Sequence, residues 1–373
     1  MIITILVFVL ILSVLVLVHE LGHFLVAKKL KVKVEEFGIG FPPRIWGKKV
    51  GETMYSVNLL PIGGFVKLYG EDDAGAGQIK LAKGQKPPVI KDLNRAFFSR
   101  SVWQRGSIVI AGVVMNFLLA VVILSFIYAI IGVTVPGKDV FIANILAKTP
   151  AEKVGIKPGD TIISVNGQKI TSPKQVSDTT KKNLGKEMLF VLKDKSGKTR
   201  EVRVTPRITY PKNQGAIGIA MTQSYNVVRY PWYQAPFIGV REATKQSLLI
   251  VEGIGTTLFN LAVKQQVPQD IAGPVGIAQL TGEFIRKGAE ATLSLVALLS
   301  LNLAVLNVLP IPALDGGRLF FIVIEAITRR KVNAQFETYA HTIGMILLLG
   351  LIVLITFHDV IRLISGQPLL PKM

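Results

Sequence analysis

His19-Glu20-Leu21-Gly22-His23 interrupts a long apolar run near the start of the chain, and the architecture and chemistry predicted for the whole sequence follow from it. No charged residue occurs from Ile2 to Val18, and Phe24 to Ala27 continue the apolar run. A transmembrane helix needs ~20 mostly apolar residues, so residues 2–27 are predicted to span a membrane. Ionisable side chains are costly at that depth and are usually functional, which predicts a functional site at or within the bilayer.

The two histidines of this stretch have the spacing of metal ligands. Positions i and i+4 of an α-helix share a face, so His19 and His23 could bind one Zn²⁺, with Glu20 as general base. Catalytic zinc usually takes three protein ligands, so a third must come from elsewhere, and the chain has no cysteine. The alternative is a helix whose histidines are satisfied by neighbouring polar groups. An uncharged span disfavours it, because each polar group there needs a partner.

The composition indicates a membrane protein. The chain has 373 residues, of which 50% are hydrophobic, and its mean hydropathy is positive. The net charge of +19 could indicate nucleic-acid binding. However, the basic residues flank apolar spans, as anionic headgroups and the positive-inside rule favour. We therefore expect a lipid bilayer, and no nucleic acid, as a partner.

Four spans are predicted, and the sequence divides into four parts. The spans lie at roughly 2–27, 106–132, 291–310 and 340–363. Basic clusters at 28–33 and 329–331 place the adjoining connections in the cytoplasm. The expected parts are 1–132 with two spans and a cytoplasmic β-hairpin, 133–222 with soluble composition, 223–290 as an amphipathic connecting segment, and 291–373 with two spans.

Two of these parts carry further predictions. Residues 53–57 and 65–69 alternate as strands, and Pro61-Ile62-Gly63-Gly64 predicts the turn between them. This hairpin either dips toward the site as a membrane-associated element or lies on the surface. In the connecting segment, residues 236–262 predict an amphipathic helix, which packs on its own protein or lies on the membrane surface.

The third span is predicted to break at Asn307-Val308-Leu309-Pro310-Ile311-Pro312-Ala313-Leu314-Asp315-Gly316-Gly317-Arg318. Two prolines and two glycines disrupt a helix, and broken backbone at membrane depth is tolerated only where protein or a water-filled cavity covers it. Asp315 is the predicted third ligand, because zinc accepts carboxylate oxygen. It could also be a helix N-cap. Asn307 could donate to a substrate carbonyl or an oxyanion.

The pairing of H-E-x-x-H in the first span with N-x-x-P-x-P-x-L-D-G-G in the third resembles the site-2 protease family of intramembrane zinc metalloproteases. Residues 37–41, 60–67 and 273–277 look like the bacterial branch typified by the regulator-of-sigma-E protease. Residues 154–160 and 165–167 look like a PDZ domain. Residues 215–219 resemble the strand that edges the peptide groove of a circularly permuted PDZ. The implied fold is a polytopic α-helical membrane protein with four transmembrane helices and one inserted PDZ-like α+β domain.

The resemblance implies His19, His23 and Asp315 as zinc ligands, Glu20 as base and Asn307 as a substrate contact. It also implies single-span membrane protein substrates, such as anti-sigma factors or remnant signal peptides. The implied location is the bacterial inner membrane, with the PDZ-like domain on the extracytoplasmic side. The chain departs from the family in two respects: Val113 stands where proline is common, and only one PDZ-like domain is visible.

The resulting hypothesis is a monomeric intramembrane zinc metalloendopeptidase. The candidate substrate-binding residues are Gly63, Gly64 and Phe65 in the hairpin and Ile217, Gly218 and Ile219 in the PDZ-like domain. Three alternatives stay open: a catalytically silent scaffold whose PDZ binds exposed C-termini, a transporter, and a membrane-anchored peptidase acting on soluble substrates. His341 and His358 are expected not to be ligands, because interfacial solvation near the ends of the fourth span would satisfy them.

Overall fold

The computed structural model describes residues 2–71, 92–211, 214–264 and 272–365. Within those ranges, the chain forms two compact units, Met1–Ile131 with Pro231–Met373 and an inserted unit, Gly132–Tyr230. The helices are α1 Ile2–Lys29, α2 Val102–Phe126, α3 Pro150–Lys153, α4 Pro173–Lys182, α5 Ala235–Lys264, α6 Pro274–Lys287, α7 Ala289–Val308, α8 Asp315–Thr328 and α9 Ala334–Ile364. The strands are β1 Val34–Val50, β2 Thr53–Leu68, β3 Val133–Ile145, β4 Thr161–Val165, β5 Gln168–Lys169, β6 Met188–Lys193, β7 Thr199–Val204 and β8 Ile219–Val228.

Four helices of the described residues are long and apolar enough to cross a membrane. They are Ile3–Lys29, Val102–Ile131, Ala289–Val308 and Gln335–Ile364. Their number and order are as predicted, and every end lies within about five residues of its predicted position. The second span begins sharply because Ser101 and Gln104 form a reciprocal capping box at the start of α2.

The sheet formed by β1 and β2 differs from the predicted hairpin. The tight turn lies at Gly51-Glu52, where Gly51 has a φ of +62°. The predicted reversal of the chain between residues 57 and 64 is present, because Glu36–Ile39 is matched in the same direction with Met54–Val57 and in the opposite direction with Gly64–Lys67. The difference from the predicted hairpin is the pairing: residues 53–58 pair with residues 44–50, and the start of β1 lies between residues 54–57 and residues 64–67, which therefore do not pair with each other. The start of β1 therefore pairs with a strand on each side, which strand propensity alone cannot reveal.

The inserted unit is a sheet with strand order β7-β6-β4-β3-β8, and β5 pairs with β4. Its core contains buried side chains from several strands, such as Val140, Ile162 and Phe190. The unit ends at Tyr230 rather than at residue 222. The physical reason is that β8 continues to pair with β3 as far as the match of Val133 with Val228.

The connecting segment contains two helices. α5 packs on α2 and α7, whereas side chains such as Phe237, Leu248 and Phe259 are exposed. Residues 265–271 of the predicted segment lie outside the described residues. α6 begins after Gly273, and the Asp359 carboxylate on α9 accepts the Gly276 N–H at 2.8 Å.

The predicted break in the third span is present. α7 ends at Val308, and Leu309 follows in an extended conformation. α8 begins at Asp315, with Leu314 as its N-cap residue and no side-chain cap hydrogen bond. Asp315 is therefore the first residue of α8 and not its N-cap, so the possible capping role of its side chain is wrong.

Candidate active site

His19, His23 and Asp315 bring three potential ligand atoms together. The Asp315 Oδ2 atom lies 2.8 Å from His19 Nε2 and 3.2 Å from His23 Nε2. The two Nε2 atoms are 3.2 Å apart. Two ligands at about 2.0–2.1 Å from one tetrahedral zinc ion lie about 3.3 Å apart. The spacing and the two-nitrogen, one-oxygen donor set therefore fit zinc.

The His23 ring is oriented by the second membrane helix. Its Nδ1 lies 2.8 Å from the Ile108 carbonyl oxygen. A carbonyl oxygen only accepts hydrogen bonds, so Nδ1 carries the proton and the Nε2 lone pair faces His19 and Asp315. Outer hydrogen bonds of this kind fix the tautomer of metal-binding histidines.

The His19 ring has a different neighbour on the same helix. The Asn116 amide is fully buried, and its Nδ2 lies 3.3 Å from His19 Nδ1. Its Oδ1 has no partner among the described residues. Turned about its last torsion, the amide presents this oxygen to the Nδ1 proton of His19, which leaves Nε2 free for a metal.

Gly112 makes the close approach of the two helices possible. A Cβ at this position would lie 2.7 Å from the Cε1 atom of both His19 and His23. A second contact of the same kind is made by Gly22, where a Cβ would lie 2.8 Å from Met115 Cγ. The absence of a side chain at residue 112 thus leaves space for two imidazoles.

Glu20 lies beside the three ligand atoms but is not part of the cluster they form. Its Oε2 accepts the backbone N–H of Val66 on β2 at 3.1 Å. β2 thus holds the Glu20 carboxylate in place. Glu20 lines both of the cavities that adjoin the cluster.

Two cavities adjoin the cluster. The larger, of about 470 Å³, contains Glu20, His23 and Asp315 in its wall. The smaller, of about 230 Å³, contains His19 and Asn307 together with Glu20 and Asp315. Asn307 therefore lies where a group bound beside the cluster could reach it.

The predicted hairpin residues lie against the first membrane helix. A Cβ on Gly63 would be 3.1 Å from Val16 Cγ1, and one on Gly64 would be 3.6 Å from Leu17 Cδ1. Phe65 lines the larger cavity. The Ser13 hydroxyl donates to the Pro61 carbonyl oxygen at 2.6 Å. β2 therefore passes the helix close to its H-E-x-x-H turn.

An ion pair joins the end of β2 to α8. The Arg318 guanidinium bonds to the Glu71 carboxylate, and Glu71 also accepts the Leu68 N–H at 3.2 Å. Both charged residues line the larger cavity.

The two remaining histidines differ in their environments. His358 is exposed, whereas His341 is only 7% exposed and lines the larger cavity. The explanation of His341 by interfacial solvation is therefore wrong, because protein surrounds the ring. Among the described residues, His341 is not a member of the cluster that could hold a metal ion.

Val113 lies inside an uninterrupted stretch of the second span. It is buried within α2, which is continuous from Val102 to Phe126. The departure from the family pattern at this residue therefore leaves the helix that carries Ile108 and Asn116 intact.

The other predicted substrate-binding residues lie in the inserted unit. Ile217, Gly218 and Ile219 line a groove of about 310 Å³ that also contains Val176 and Thr180 of α4. The Ile217 side chain belongs to the core of the unit. Ile219 begins β8, which stands at one end of the strand order.

Asn116, Gly112 and His341 are site residues whose positions the sequence did not reveal. Gly112 and Asn116 are four residues apart and therefore share one face of the second span. A polar asparagine beside a glycine on an apolar helix was the signal that could have indicated a functional contact at this face. His341 had no such signal, because its partner lies in the broken segment.

Comparisons with known proteins agree on one family. The model of peptidase family M50 matches residues 7–351. A protein of Clostridium acetobutylicum is 34% identical over 351 residues, which covers 94% of this chain and 95% of the relative. The regulator of sigma-W protease RasP of Bacillus subtilis is 31% identical, covering 96% of this chain and 99% of RasP. A PDZ domain of an SdrC-like protein from Listeria monocytogenes is 22% identical and covers 24% of this chain and 94% of that domain, but its TM-score of 0.21 gives it no weight.

Proposed function

The chain belongs to peptidase family M50 and is a zinc metalloprotease of the membrane, and from that premise we propose that it hydrolyses peptide bonds in or near the transmembrane segments of single-span membrane proteins. The observation that carries the proposal is the convergence of His19, His23 and Asp315 beside Glu20, on helices apolar enough to span a bilayer. A soluble-substrate peptidase would not need its ligands on such helices.

In this proposal His19, His23 and Asp315 hold the zinc ion. When bound, zinc supplies Lewis acidity, which polarises a carbonyl group and makes water nucleophilic near neutral pH. The Ile108 carbonyl and the Asn116 amide keep the two imidazoles in the tautomer that binds through Nε2.

Glu20 is the proposed general base. Its carboxylate takes a proton from the attacking water and passes it to the leaving amide nitrogen. The Val66 N–H keeps the carboxylate on the side of the helix that faces both cavities. Asn307 contributes an amide to the smaller cavity, where it can donate to the substrate carbonyl or the developing oxyanion.

The membrane-associated sheet is proposed to hold the substrate extended. Gly64, Phe65 and Val66 are each matched with one residue of β1 only. The opposite edge of this short segment faces Glu20, as the bond from Val66 indicates. A substrate strand added along Gly63 to Phe65 would therefore lie beside the cluster, with its backbone exposed to attack.

The inserted unit is proposed to be the PDZ-like domain that recruits or filters substrates. Its groove, between Gly218-Ile219 and Thr180 of α4, adjoins the end strand β8 and could take a peptide as a further strand. We place this unit outside the cytoplasm because the basic clusters at 28–33 and 329–331 favour a cytoplasmic position for the adjoining connections. The proposed location of the spans is the bacterial inner membrane, in keeping with the bacterial relatives. Anti-sigma factors and remnant signal peptides are the proposed substrates.

The test compares substrates in lipid vesicles containing the full-length protein. A reporter with one transmembrane segment is expected to be cleaved, whereas a soluble peptide with the sequence around the cleaved bond is expected to be cleaved much more slowly. Glu20→Gln is expected to keep its zinc and to lose about 100- to 10,000-fold in rate. His23→Ala should lose both zinc and cleavage, whereas His358→Ala, with an exposed ring on another span, should behave as wild type.

Three results would contradict the proposal. Equal cleavage of the soluble and membrane-embedded substrates would indicate an anchored peptidase for soluble substrates. Full activity in Glu20→Gln would remove the base assignment. A wild-type protein that neither binds zinc nor cleaves, yet binds C-terminal peptides through the inserted unit, would indicate the silent scaffold.

A further inference from the structure

His341, on the fourth candidate span, makes a hydrogen bond to the broken segment that carries Asp315. Its Nδ1 accepts the backbone N–H of Ala313 at 3.0 Å. Ala313 is two residues from the proposed ligand and has a φ of +78°, although it is not glycine. A left-handed conformation is unfavourable for a residue with a Cβ. It persists where surrounding contacts hold it, and the bond from His341 is one such contact.

A second contact joins α9 to the same segment. A Cβ on Gly344 would lie 2.8 Å from the Pro312 carbonyl oxygen and 2.9 Å from the Pro312 carbonyl carbon. His341 and Gly344 are three residues apart and so face the same side of α9. α9 therefore contacts the broken segment at two points. His341 accepts the N–H of Ala313, and Gly344 lets the helix approach Pro312 closely.

These contacts determine where Asp315 begins its helix. Leu314 is extended and Asp315 is the first residue of α8. The direction of the carboxylate thus depends on the backbone of the two preceding residues. Three ligand atoms must lie about 3.3 Å apart to share one zinc ion, so a small change in this backbone would move Asp315 Oδ2 away from the histidine nitrogens.

We infer that His341 is a positioning residue, which holds Ala313 through its Nδ1 and so keeps the Asp315 carboxylate in place to bind zinc. The inference rests on the proposed role of Asp315 as a ligand. It assigns the fourth span a part in the metal centre without making His341 a ligand.

The experiment measures zinc affinity of the full-length protein in detergent, by competition with a chelator. His341→Leu removes the acceptor and is expected to weaken zinc binding about 10- to 100-fold, as loss of a supporting residue around a metal does. His341→Asn keeps an acceptor near the position of Nδ1 and is expected to stay within about 3-fold of wild type. His358→Leu, on an exposed position of the same helix, is the matched control and is expected to bind zinc as wild type does.

A spectroscopic measurement distinguishes positioning from a general loss of folding. With Co²⁺ in place of zinc, His341→Leu is expected to change the visible absorption bands, because the carboxylate ligand moves, whereas His341→Asn is expected to keep them. If His341→Leu does not fold, Gly344→Ala perturbs the same segment through Pro312 and is expected to weaken zinc binding in the same way. Gly350→Ala is its control, because a Cβ there meets no atom within 4 Å.

The outcomes separate the inference from the proposed function. If the wild-type protein binds no zinc, the proposed function fails. If the wild type binds zinc and both His341→Leu and Gly344→Ala bind it equally well, only the inference is overturned. The inference is also overturned if His341→Asn is as weak as His341→Leu, because the acceptor would then not be the group that matters.

Discussion

The Nδ1 atom of His23 on the first membrane helix lies 2.8 Å from the carbonyl oxygen of Ile108 on the second. The carbonyl is free to accept this bond even though it lies in a helix, since an oxygen has two lone pairs. The geometry couples the tautomer of a proposed zinc ligand to the packing of two spans. Changes in helix packing near Ile108 should therefore affect zinc binding before they affect folding.

Gly112→Ala is expected to reduce zinc binding. The added Cβ would lie 2.7 Å from the Cε1 atoms of both His19 and His23, so at least one ring must move. Overpacking of this kind typically costs about 1–3 kcal/mol, and here the strain falls on the ligands. Zinc content after dialysis and the cleavage rate of a membrane-embedded reporter would both be measured, with a fall expected in each.

Gly106→Ala is the matched control for this prediction, because it makes the same change on the same helix. Its added Cβ would lie 3.8 Å from Ile322 Cγ2 and 3.9 Å from Leu319 Cδ1, which are ordinary contacts. Wild-type zinc content in Gly112→Ala would mean that the space at residue 112 is not needed by the imidazoles.

Asn116→Ala is expected to weaken zinc binding without unfolding the protein. The amide is the neighbour of His19 Nδ1, and loss of such a partner typically lowers metal affinity about 10- to 100-fold. Zinc affinity would be measured by chelator competition. Ser125→Ala is the control on the same helix. Among the described residues, the Ser125 hydroxyl donates only to the Val121 carbonyl oxygen, at 2.6 Å, so its loss should leave the zinc affinity unchanged. Equal affinities in the two variants would show that Asn116 does not orient His19.

The candidate metal-binding cluster was largely predictable from the sequence, because metal chemistry constrains residue types. Histidines four residues apart share a helical face. A purely structural role for them in an uncharged span is unfavourable, because their ring nitrogens would need hydrogen-bond partners there. Asp315 followed from the need for a third ligand and from a break at membrane depth. The geometry of the cluster formed by His19, His23 and Asp315 agrees with these predictions.

The parts that could not be predicted depend on contacts between distant segments. The start of β1 is matched with both Gly64–Lys67 and Met54–Val57, and so separates the two strands that were predicted to form a hairpin. Local alternation and Pro61-Ile62-Gly63-Gly64 predicted the reversal of the chain, but no local signal encodes the strand that lies between its two arms. His341 was misjudged for the same reason: its position in the span indicates an interface, but its partner is Ala313.

The Glu71–Arg318 ion pair is expected to stabilise the contact between β2 and α8. Both side chains are largely covered, with 17% and 22% of their surface exposed. Removing one partner leaves the other charge uncompensated. Glu71→Gln and Arg318→Gln should each lower the unfolding midpoint in detergent, while the double variant should lose less than the sum. A coupling free energy of about 0.5–3 kcal/mol is expected for such neighbours.

The pair of Glu35 and Lys67 is the comparison for that cycle. Their charged atoms are 3.0 Å apart, but the side chains are 33% and 56% exposed. Exposed pairs typically couple by about 1 kcal/mol or less. If the Glu71–Arg318 cycle gives no more coupling than this one, the buried pair does not hold β2 against α8.

Glu52 is expected to make stability depend on pH below about 4.5. Arg95 bonds to both oxygens of its carboxylate at 2.7 Å, and Lys28 bonds to one at 3.1 Å. The hydrogen bonds from Arg95, and then those from Lys28, hold the pKa of Glu52 at about 2, below its ordinary value of 4.5. Because the pKa is lowered in the folded state, the stabilisation is fully present above pH 4.5 and is lost as the pH falls toward 2. The carboxylate is 31% exposed, so solvent screening reduces the size of the effect.

The measurement is the difference in unfolding midpoint between wild type and Glu52→Gln, which does not titrate. Wild type should be the more stable at pH 6, and the difference should shrink below pH 4.5 and vanish near pH 2, where Glu52 becomes protonated. Raising the salt concentration at pH 6 should also reduce the difference, because the groups are partly exposed. A charge effect must disappear when the carboxylate is neutral. A difference in unfolding midpoint that stays constant from pH 6 to pH 2 would therefore mean that the shape of the Glu52 side chain, and not its charge, stabilises the turn between β1 and β2.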